Sequence, residues 1–306
     1  MKVIVTGGSG RAGEYILADL VASGHTAINA DLAPPPASAH DSGALFQRCD
    51  FTDFGQTVAT LRGADAVVHM AAIPAPATDP EHVVFRVNMM SAWNVLEAAE
   101  LHGINRIVMA SSVNAVGAGW GSELFVPDYF PVDEAHPTRV QDAYSQSKWL
   151  GEQMADAFCR RRRGLQIASM RFHGLWDPAT ADRHQKTGDR TRTSGRNAMG
   201  FWSWVGRHDA ARACRLAIEK KLEGHEAFFI NATDTTLELP TEDAIRREYG
   251  EVTYRRALPD FTSPLDISKA ERLLGWVPQE SWREGTVKPP EQRQQARPHY
   301  QAPWTR

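Results

Sequence analysis

The sequence is poor in cysteine, in excess positive charge and in long apolar runs. Its 306 residues include only three cysteines, Cys49, Cys159 and Cys214. These are too few and too widely spaced for a disulfide framework or a zinc site, and they suit a reducing cytoplasm. The net charge of −3 argues against a general nucleic-acid-binding protein, which is normally basic. No apolar run approaches the roughly 18 residues that span a bilayer, so we expect neither nucleic acid nor membrane as a partner.

Glycine, in contrast, is concentrated near the N-terminus, in "TGGSGRAG" at residues 6–13. The apolar run "KVIV" precedes it, and apolar residues at helical spacing follow it, which leaves no room for a signal peptide. The glycines therefore lie between a strand and a helix. There glycine permits positive φ and close approach of the backbone to a pyrophosphate, at a helix N-terminus that favours anions. We predict that this turn binds a cofactor through Gly7, Gly10, Arg11, Ala12 and Gly13.

An acidic residue at the end of the next strand separates this interpretation from an ordinary tight turn. "HTAINAD" ends at Asp31, where a carboxylate would accept hydrogen bonds from both ribose hydroxyls of the adenosine. The same carboxylate would repel a 2′-phosphate, so we expect NAD, with NADP less favoured. Arg11 is a counter-signal, because a cation in the glycine turn could pair with that phosphate.

Strands and helices alternate through the first half of the chain. Helical spacing appears over 54–63, 80–102 and 143–163, and strand-like apolar runs over 64–70, 105–112 and 165–172. This alternation predicts an α/β fold, a Rossmann-type doubly wound parallel sheet with a smaller C-terminal substrate lobe. We predict a dinucleotide-binding domain over 1–175 to which 207–232 returns, an interleaved lobe over 176–290 and an extended tail over 291–306. Within the lobe, 179–200 is predicted to be a long loop, followed by short helices over 241–250 and 266–276.

Three side chains form a candidate catalytic set at the carboxyl ends of the strands, where ligands bind in such sheets. Ser112 ends the strand "NRIVMASS", and "YSQSK" places Tyr144 and Lys148 four residues apart on one helix face. We expect the Lys148 ammonium to lower the Tyr144 pKa, so that the phenolate can take a proton from a substrate alcohol as hydride leaves its carbon. Ser112 would hold the substrate oxygen.

These motifs together resemble the extended short-chain dehydrogenase/reductase family, in its NAD-dependent epimerase/dehydratase group. The likeness covers residues 1 to about 275 and includes "TGGSGRAG", "CDFTD", "VVHMAA" and "NMMSAWNVLEAA". It implies the Ser112, Tyr144 and Lys148 set. It also implies cofactor contacts at the adenine from Asp50 and Phe51, along the cofactor from Met70, Ala71 and Ala72, and near the ribose from Asn88, with Tyr144 and Lys148 completing the set.

Departures from the family pattern narrow the chemistry. The Asp–Glu pair of the dehydratases is replaced by Val113 and Asn114, which argues against dehydration. Val116 stands where nucleotide-sugar epimerases usually have tyrosine, and Gly174 where they usually have asparagine, which weakens the case for a nucleotide-sugar substrate. "SSVNAVG" and "FWSWVGRHD" are more similar to a smaller sugar-oxidising branch, such as the uronate dehydrogenases.

Two further residues are candidates for substrate binding, each with a structural alternative. Asn114 could contact the substrate or cap its own loop, and His173 could face the substrate or be a satisfied structural histidine. The basic residues over 183–196 could clamp a carboxylate or phosphate, although such a run is more often a solvated loop. They are Arg183, Lys186, Arg190, Arg192 and Arg196.

The sequence therefore predicts a cytoplasmic NAD-dependent oxidoreductase that acts on a secondary alcohol or carbonyl of a sugar-like small molecule. An epimerase that retains its NAD is the alternative enzyme, and a non-catalytic nucleotide-sensing regulator is a remote one. Metal ligands are not expected. The helices at 80–102 and 142–163 carry apolar residues on more than one face, including Met90 and Trp93, which predicts pairing into a homodimer.

Overall fold

A computed structural model of the chain describes residues 1–36, 42–77, 79–288 and 292. Seven parallel strands form its main sheet, in the order β3-β2-β1-β4-β5-β6-β9. They are β1 (Lys2–Thr6), β2 (Thr26–Asp31), β3 (Leu45–Arg48), β4 (Ala66–His69), β5 (Arg106–Ser112), β6 (Gln166–Phe172) and β9 (Gly224–Ile230). Two short strands, β7 (Leu175–Trp176) and β8 (Val205–Gly206), pair separately.

The helices cover both faces of this sheet. They are α1 (Gly13–Ala22), α2 (Phe54–Leu61), α3 (Glu81–Leu101), α4 (Ala143–Arg161), α5 (Pro178–Thr187), α6 (Arg196–Met199), α7 (Arg207–Glu219), α8 (Thr241–Tyr249) and α9 (Ser268–Leu274). Helices α1 and α7 pack together, and α3 packs against both α2 and α4. Along β1, Val3 and Val5 join the core that includes α1, whereas Ile4 joins the core that includes α3. The predicted doubly wound α/β class is therefore confirmed.

The strand order reverses between β1 and β4, which are neighbours in the sheet although β2 and β3 separate them along the chain. Helices that connect strands on either side of this point lie on opposite faces, so a crevice opens at the carboxyl ends of the two strands. The glycine turn follows β1, and the "VVHMAA" segment begins within β4 and continues past its carboxyl end. The topology therefore brings both predicted cofactor segments to the same crevice.

The chain leaves the sheet after β6 and returns to it in β9. These two strands pair in parallel from Gln166 opposite Gly224 to Phe172 opposite Ile230. The return predicted over 207–232 thus supplies α7 and the seventh strand, while the exact division into domains stays a prediction. The tail predicted over 291–306 lies outside the described residues, apart from Gln292.

The long loop predicted over 179–200 is wrong, because α5 and α6 form within it. The Asp177 carboxylate accepts a hydrogen bond from the Thr180 backbone N–H at 2.7 Å, and Pro178 occupies the first turn. Both features are helix-start signals. Only Ala181 of α5 is buried, so the segment has no apolar periodicity by which a helix could be predicted.

The described helices bear on the expectations about membranes and about a dimer. Among the described residues, no helix combines the length and apolar character that crossing a bilayer requires. On α3, Met90 and Trp93 are 43% and 40% exposed, whereas Val84 is fully buried. An exposed apolar pair on this helix is consistent with the homodimer, which stays a prediction.

A buried ion pair joins α4 to β5 and β6. Glu152 on α4 accepts hydrogen bonds from Arg171 Nε at 2.9 Å and Arg171 Nη2 at 2.8 Å, and from Ser111 Oγ at 2.6 Å. The side chains of Glu152 and Arg171 are only 4% and 6% exposed. Because three donors satisfy the carboxylate, the desolvation of both charges is compensated.

We expect Glu152→Ala to lower the free energy of unfolding by about 3–5 kcal/mol, since it leaves the Arg171 guanidinium buried and unpaired. Urea denaturation followed by circular dichroism measures this change. As a control, Arg246→Ala removes an exposed ion pair with Asp243 and should cost about 0.5 kcal/mol or less. A loss below about 1 kcal/mol for Glu152→Ala would contradict the role of the pair.

Candidate active site

A cleft of about 1090 Å³ opens at the carboxyl ends of the strands, at the reversal point of the sheet. It is bordered by the glycine turn, the ends of β2, β4, β5 and β6, the start of α4 and parts of the lobe. Of the predicted site residues, all but Asn88 line it: Gly7, Gly10, Arg11, Ala12, Gly13, Asp31, Asp50, Phe51, Met70, Ala71, Ala72, Ser112, Asn114, Tyr144, Lys148 and His173.

Two glycines of the turn are required by close backbone contacts. Gly7 has φ of 66°, and a Cβ there would lie 2.7 Å from the backbone nitrogen of Ala71. A Cβ on Gly13 would lie 2.4 Å from the carbonyl oxygen of Gly7. A Cβ on Gly10 would meet only that same oxygen, at 3.1 Å. Gly7 and Gly13 thus let the turn fold against the end of β4, and Gly10 keeps the inner wall of the cleft free of side chain.

Thr6 and His69, which the sequence analysis did not single out, fix the segment beside this turn. The Thr6 hydroxyl oxygen accepts hydrogen bonds from the backbone N–H groups of Met70 and Ala71, each at 3.1 Å. Its own proton is then directed at His69 Nδ1, 2.8 Å away, which assigns the ring proton to Nε2. Burial, with the charge of Lys148, lowers the pKa of His69 to about 3, so this histidine is a neutral structural group.

The adenosine end of the cleft carries two carboxylates that the backbone orients. Asp31 accepts hydrogen bonds from the N–H groups of Ser9, at 3.0 Å, and Leu32, at 2.7 Å. Asp50 accepts from the backbone and hydroxyl of Thr52, at 2.9 and 2.7 Å. The Asp31 side chain is therefore held at the end of β2 and lies in the cleft with oxygen lone pairs to spare.

Asn88 does not line the cleft, and its side-chain amide forms hydrogen bonds with the loop after β4 and with α4. Its oxygen accepts from the Ile73 backbone N–H at 2.8 Å. Its nitrogen donates to the Ile73 carbonyl at 3.2 Å and to Ser147 Oγ at 3.1 Å. The buried Asn88 thus holds the loop after β4 against α4, and its contact with the cofactor ribose stays a prediction.

Ser112, Tyr144 and Lys148 come together on the wall between β5 and α4. Asp142 caps α4 by accepting from the Ser145 backbone N–H at 2.9 Å, so the helix begins beside the cleft. Ser112 ends β5, and its Oγ accepts from the Asn114 N–H at 3.2 Å. The Lys148 Nζ donates to the Ala110 carbonyl at 2.8 Å and lies 5.6 Å from the centre of the Tyr144 ring.

The expected lowering of the Tyr144 pKa by Lys148 is wrong for the protein without ligands. Burial raises the pKa of Tyr144 to about 12; a hydrogen bond with Ser112 opposes this rise and the charge of Asp142 adds to it. Burial also lowers the pKa of Lys148 to about 8. Desolvation is thus the largest influence on both pKa values, which the sequence spacing alone could not reveal.

The side-chain polar atoms of Asn114 and His173, the two further candidates for substrate binding, form hydrogen bonds within the protein. With its amide oriented to suit its neighbours, Asn114 donates to the Ala118 carbonyl at 2.7 Å and accepts from Trp120 Nε1 at 2.9 Å. His173 Nδ1 accepts from the Gly174 N–H at 2.6 Å, and the backbone of Gly200 also hydrogen-bonds the ring. Burial lowers the pKa of His173 to about 4. Both residues border the cleft. Their hydrogen bonds are those expected of a loop-capping asparagine and of a structural histidine, and their contact with a substrate stays a prediction.

Several residues that border the cleft were not predicted as site residues. Arg207, at the start of α7, pairs with Asp177 at 3.0 Å and lies 3.5 Å from Glu14, and its residue exposure is only 8%. Thr180, Trp120 and Trp176 also line the cleft, and so does Arg183, which the sequence analysis named as a possible anion clamp. In the basic segment, Lys186 pairs with Asp182 and Arg190 with Glu238, and the side chain of Arg196 lies outside the described residues.

Comparison with known proteins gives this site its context. A model of the NAD-dependent epimerase/dehydratase family matches residues 3–230. A putative UDP-glucose 4-epimerase of Methanocaldococcus jannaschii is 28% identical over 304 residues, which cover 92% of this chain and 95% of the relative. A uronate dehydrogenase of Pseudomonas syringae pv. tomato is 26% identical over 171 residues, 56% of this chain and 58% of that relative.

The solved structures agree in fold. The UDP-glucose 4-epimerase of Thermotoga maritima, solved with UDP-glucose, superposes with a TM-score of 0.70 at 24% identity, covering 94% of this chain and 97% of that one. The family match spans most of the sequence and includes the glycine turn, the Ser112 strand and the α4 helix. The family and its NAD cofactor, expected from the sequence, are confirmed, and the chain belongs to the NAD-dependent epimerase/dehydratase family.

Proposed function

We propose that the protein is an NAD-dependent oxidoreductase that transfers hydride between NAD and a secondary alcohol or carbonyl of a sugar-like small molecule. The observation that carries this proposal is the convergence of Ser112, Tyr144 and Lys148 on one cleft with the glycine turn and Asp31. A proton-transfer group and a dinucleotide site thus face the same space, which is what coupled proton and hydride transfer requires.

These residues fit a bound dinucleotide. Gly7 and Gly13 allow the turn to close, Gly10 leaves its inner wall open, and the α1 N-terminus favours a pyrophosphate. Asp31 would accept hydrogen bonds from the adenosine ribose. When bound, NAD supplies the hydride acceptor for the substrate carbon, and the remaining chemistry falls to side chains of this chain.

Tyr144 carries the proton in this mechanism. Because burial raises the pKa of Tyr144 to about 12, the phenol first releases its own proton to solvent, and the resulting phenolate is a strong base that accepts the proton of the substrate alcohol as hydride leaves the carbon. In the reverse direction the same phenol donates its proton to a carbonyl oxygen. Ser112, which hydrogen-bonds Tyr144, would hold that substrate oxygen beside the phenol.

Lys148 supports Tyr144 rather than replacing it. Its ammonium has three donors, and the one hydrogen bond recorded for it among the described residues goes to the Ala110 carbonyl. The other donors are available for a ribose hydroxyl in the cleft, and the ammonium lies 5.6 Å from the centre of the Tyr144 ring. The lysine would thereby orient the cofactor beside Tyr144.

An epimerase that retains NAD is the second candidate. Its support is the similarity to a putative UDP-glucose 4-epimerase over nearly the whole of both chains. Val116 and Gly174, at positions where such epimerases usually carry tyrosine and asparagine, favour the oxidoreductase, as does the similarity to a uronate dehydrogenase. A regulator without chemistry is disfavoured because Ser112, Tyr144 and Lys148 are all present in one cleft.

Net turnover of added cofactor separates the two enzymes. We expect stoichiometric formation of NADH, followed by its absorbance, when the purified protein receives NAD and a panel of free sugars and sugar acids. An epimerase shows no net NADH, because it re-reduces its own intermediate. Conversion of a UDP-sugar to its epimer with no net NADH, and no oxidation across the panel, would overturn the proposal.

Substitution of the tyrosine and the lysine tests the catalytic assignment. We expect Tyr144→Phe to lower kcat by about 10²–10⁴-fold with NAD affinity nearly unchanged, because only the ionisable oxygen is lost. Lys148→Met should lower activity further and also weaken NAD binding, since it removes a contact to the ribose as well as the charge. Turnover near wild type in Tyr144→Phe, with the fold intact by circular dichroism, would remove Tyr144 from the mechanism.

Cofactor choice tests Asp31. We expect kcat/KM to be higher with NAD than with NADP, because a 2′-phosphate would face the Asp31 carboxylate. Asp31→Asn should narrow that preference by weakening the repulsion, while Asp50→Asn, at the adenine end of the same cleft, should leave the ratio within about twofold. A wild type that prefers NADP would show that Arg11, rather than Asp31, governs the choice.

A further inference from the structure

Arg183 is a cation of the cleft that forms no ion pair with the residues that the structure describes. Arg183 lies on α5 and borders the cleft, and the single hydrogen bond recorded for its guanidinium among the described residues is to Thr180 Oγ1 at 3.4 Å. Thr180 is one turn earlier on the same helix face and also borders the cleft. A guanidinium with five donors and one weak internal contact is suited to an external oxyanion.

The cleft cations on α7 and α4 already have partners within the protein. Arg207 is bound by the carboxylates of Asp177 and Glu14, and Lys148 belongs to the catalytic wall with Tyr144. On α5 itself, Lys186 is paired with Asp182. Arg183 is therefore the cleft cation on α5, and no carboxylate within the described ranges pairs with it.

The position of α5 identifies which anion would meet this charge. Asp177 caps α5 through the Thr180 N–H and, through its other oxygen, pairs with Arg207 at 3.0 Å. Arg207 in turn approaches Glu14, which lies in the first turn of α1, and stacks over the Tyr15 ring at 5.4 Å. The start of α5 is thus held against the start of α1, where a dinucleotide places its pyrophosphate.

Charge balance at this point supports the same conclusion. The single positive charge of the buried Arg207 faces two carboxylates, those of Glu14 and Asp177. The contact between α1, α5 and α7 therefore carries one excess negative charge beside the anion site. A bound pyrophosphate would add two more negative charges. Arg11 in the glycine turn and Arg183 on the opposite wall are the cleft residues whose charges can offset them.

We propose that Arg183, supported by Thr180, is a cofactor-binding residue that contacts the NAD pyrophosphate from the lobe, opposite the glycine turn. Arg207 and Asp177 are positioning residues for this contact, because they hold α5 beside α1. The lobe then takes part in cofactor binding as well as in substrate binding. The inference concerns NAD binding alone and holds for a dehydrogenase or an epimerase.

Equilibrium binding of NADH, followed by quenching of tryptophan fluorescence, tests the contact without turnover. We expect Arg183→Ala to raise the Kd for NADH about tenfold, as loss of a charge-assisted hydrogen bond does, and to make Kd less dependent on salt. ADP-ribose, which has the pyrophosphate but no nicotinamide, should show the same loss. Arg183→Lys should recover part of the affinity as a point charge.

Lys186→Ala is the matched control, since it removes an equal charge from the same exposed helix but from a residue that does not border the cleft. We expect its Kd for NADH to stay within about twofold of wild type. Three results would overturn the proposal: an unchanged Kd in Arg183→Ala, an equal loss in Lys186→Ala, or an effect confined to the KM of the alcohol substrate. Failure of the wild type to bind NADH would instead contradict the cofactor itself, so the two failures are distinguishable.

Discussion

The buried carboxylate of Glu152 is the constraint on which the catalytic geometry depends. Glu152 lies on α4, the helix that also carries Tyr144 and Lys148. Its carboxylate accepts hydrogen bonds from Ser111 on β5 and Arg171 on β6. A charge buried this deeply tolerates little displacement, because each lost hydrogen bond leaves part of it uncompensated. The helix that presents the phenol and the strand that presents the hydroxyl are therefore fixed to each other by electrostatics as well as by packing.

Several polar groups around the cleft satisfy one another's hydrogen bonds. The Thr6–His69 pair and the amide of Asn88 hold the loop after β4, and the amide of Asn114 holds the loop after β5. Groups used in this way give the cleft its shape without competing for a ligand. What remains for recognition is a short set: backbone amides of the glycine turn, the Asp31 carboxylate, the hydroxyls of Ser112 and Tyr144, Lys148 and the arginines.

The sequence predicted the parts of the fold whose signals are local. Buried strands and long helices have strong periodicity, and the glycine turn, Asp31, Ser112 and the Tyr144–Lys148 spacing lie on elements that this periodicity defines. It failed where tertiary contacts decide the outcome. Helix α5 buries almost nothing, and the Tyr144 pKa depends on burial by distant segments.

The late return of β9 to the sheet has a consequence for how the protein is made. During synthesis the chain emerges from its N-terminus, so the strands up to β6 are available before residues 173–223, and only then β9, have left the ribosome. Until that moment β6 presents unpaired N–H and C=O groups along a hydrophobic edge, which is a template for pairing with other chains. The nascent chain thus keeps a pairing edge open until β9 follows, when its cofactor turn and the other six strands of its sheet have already been made.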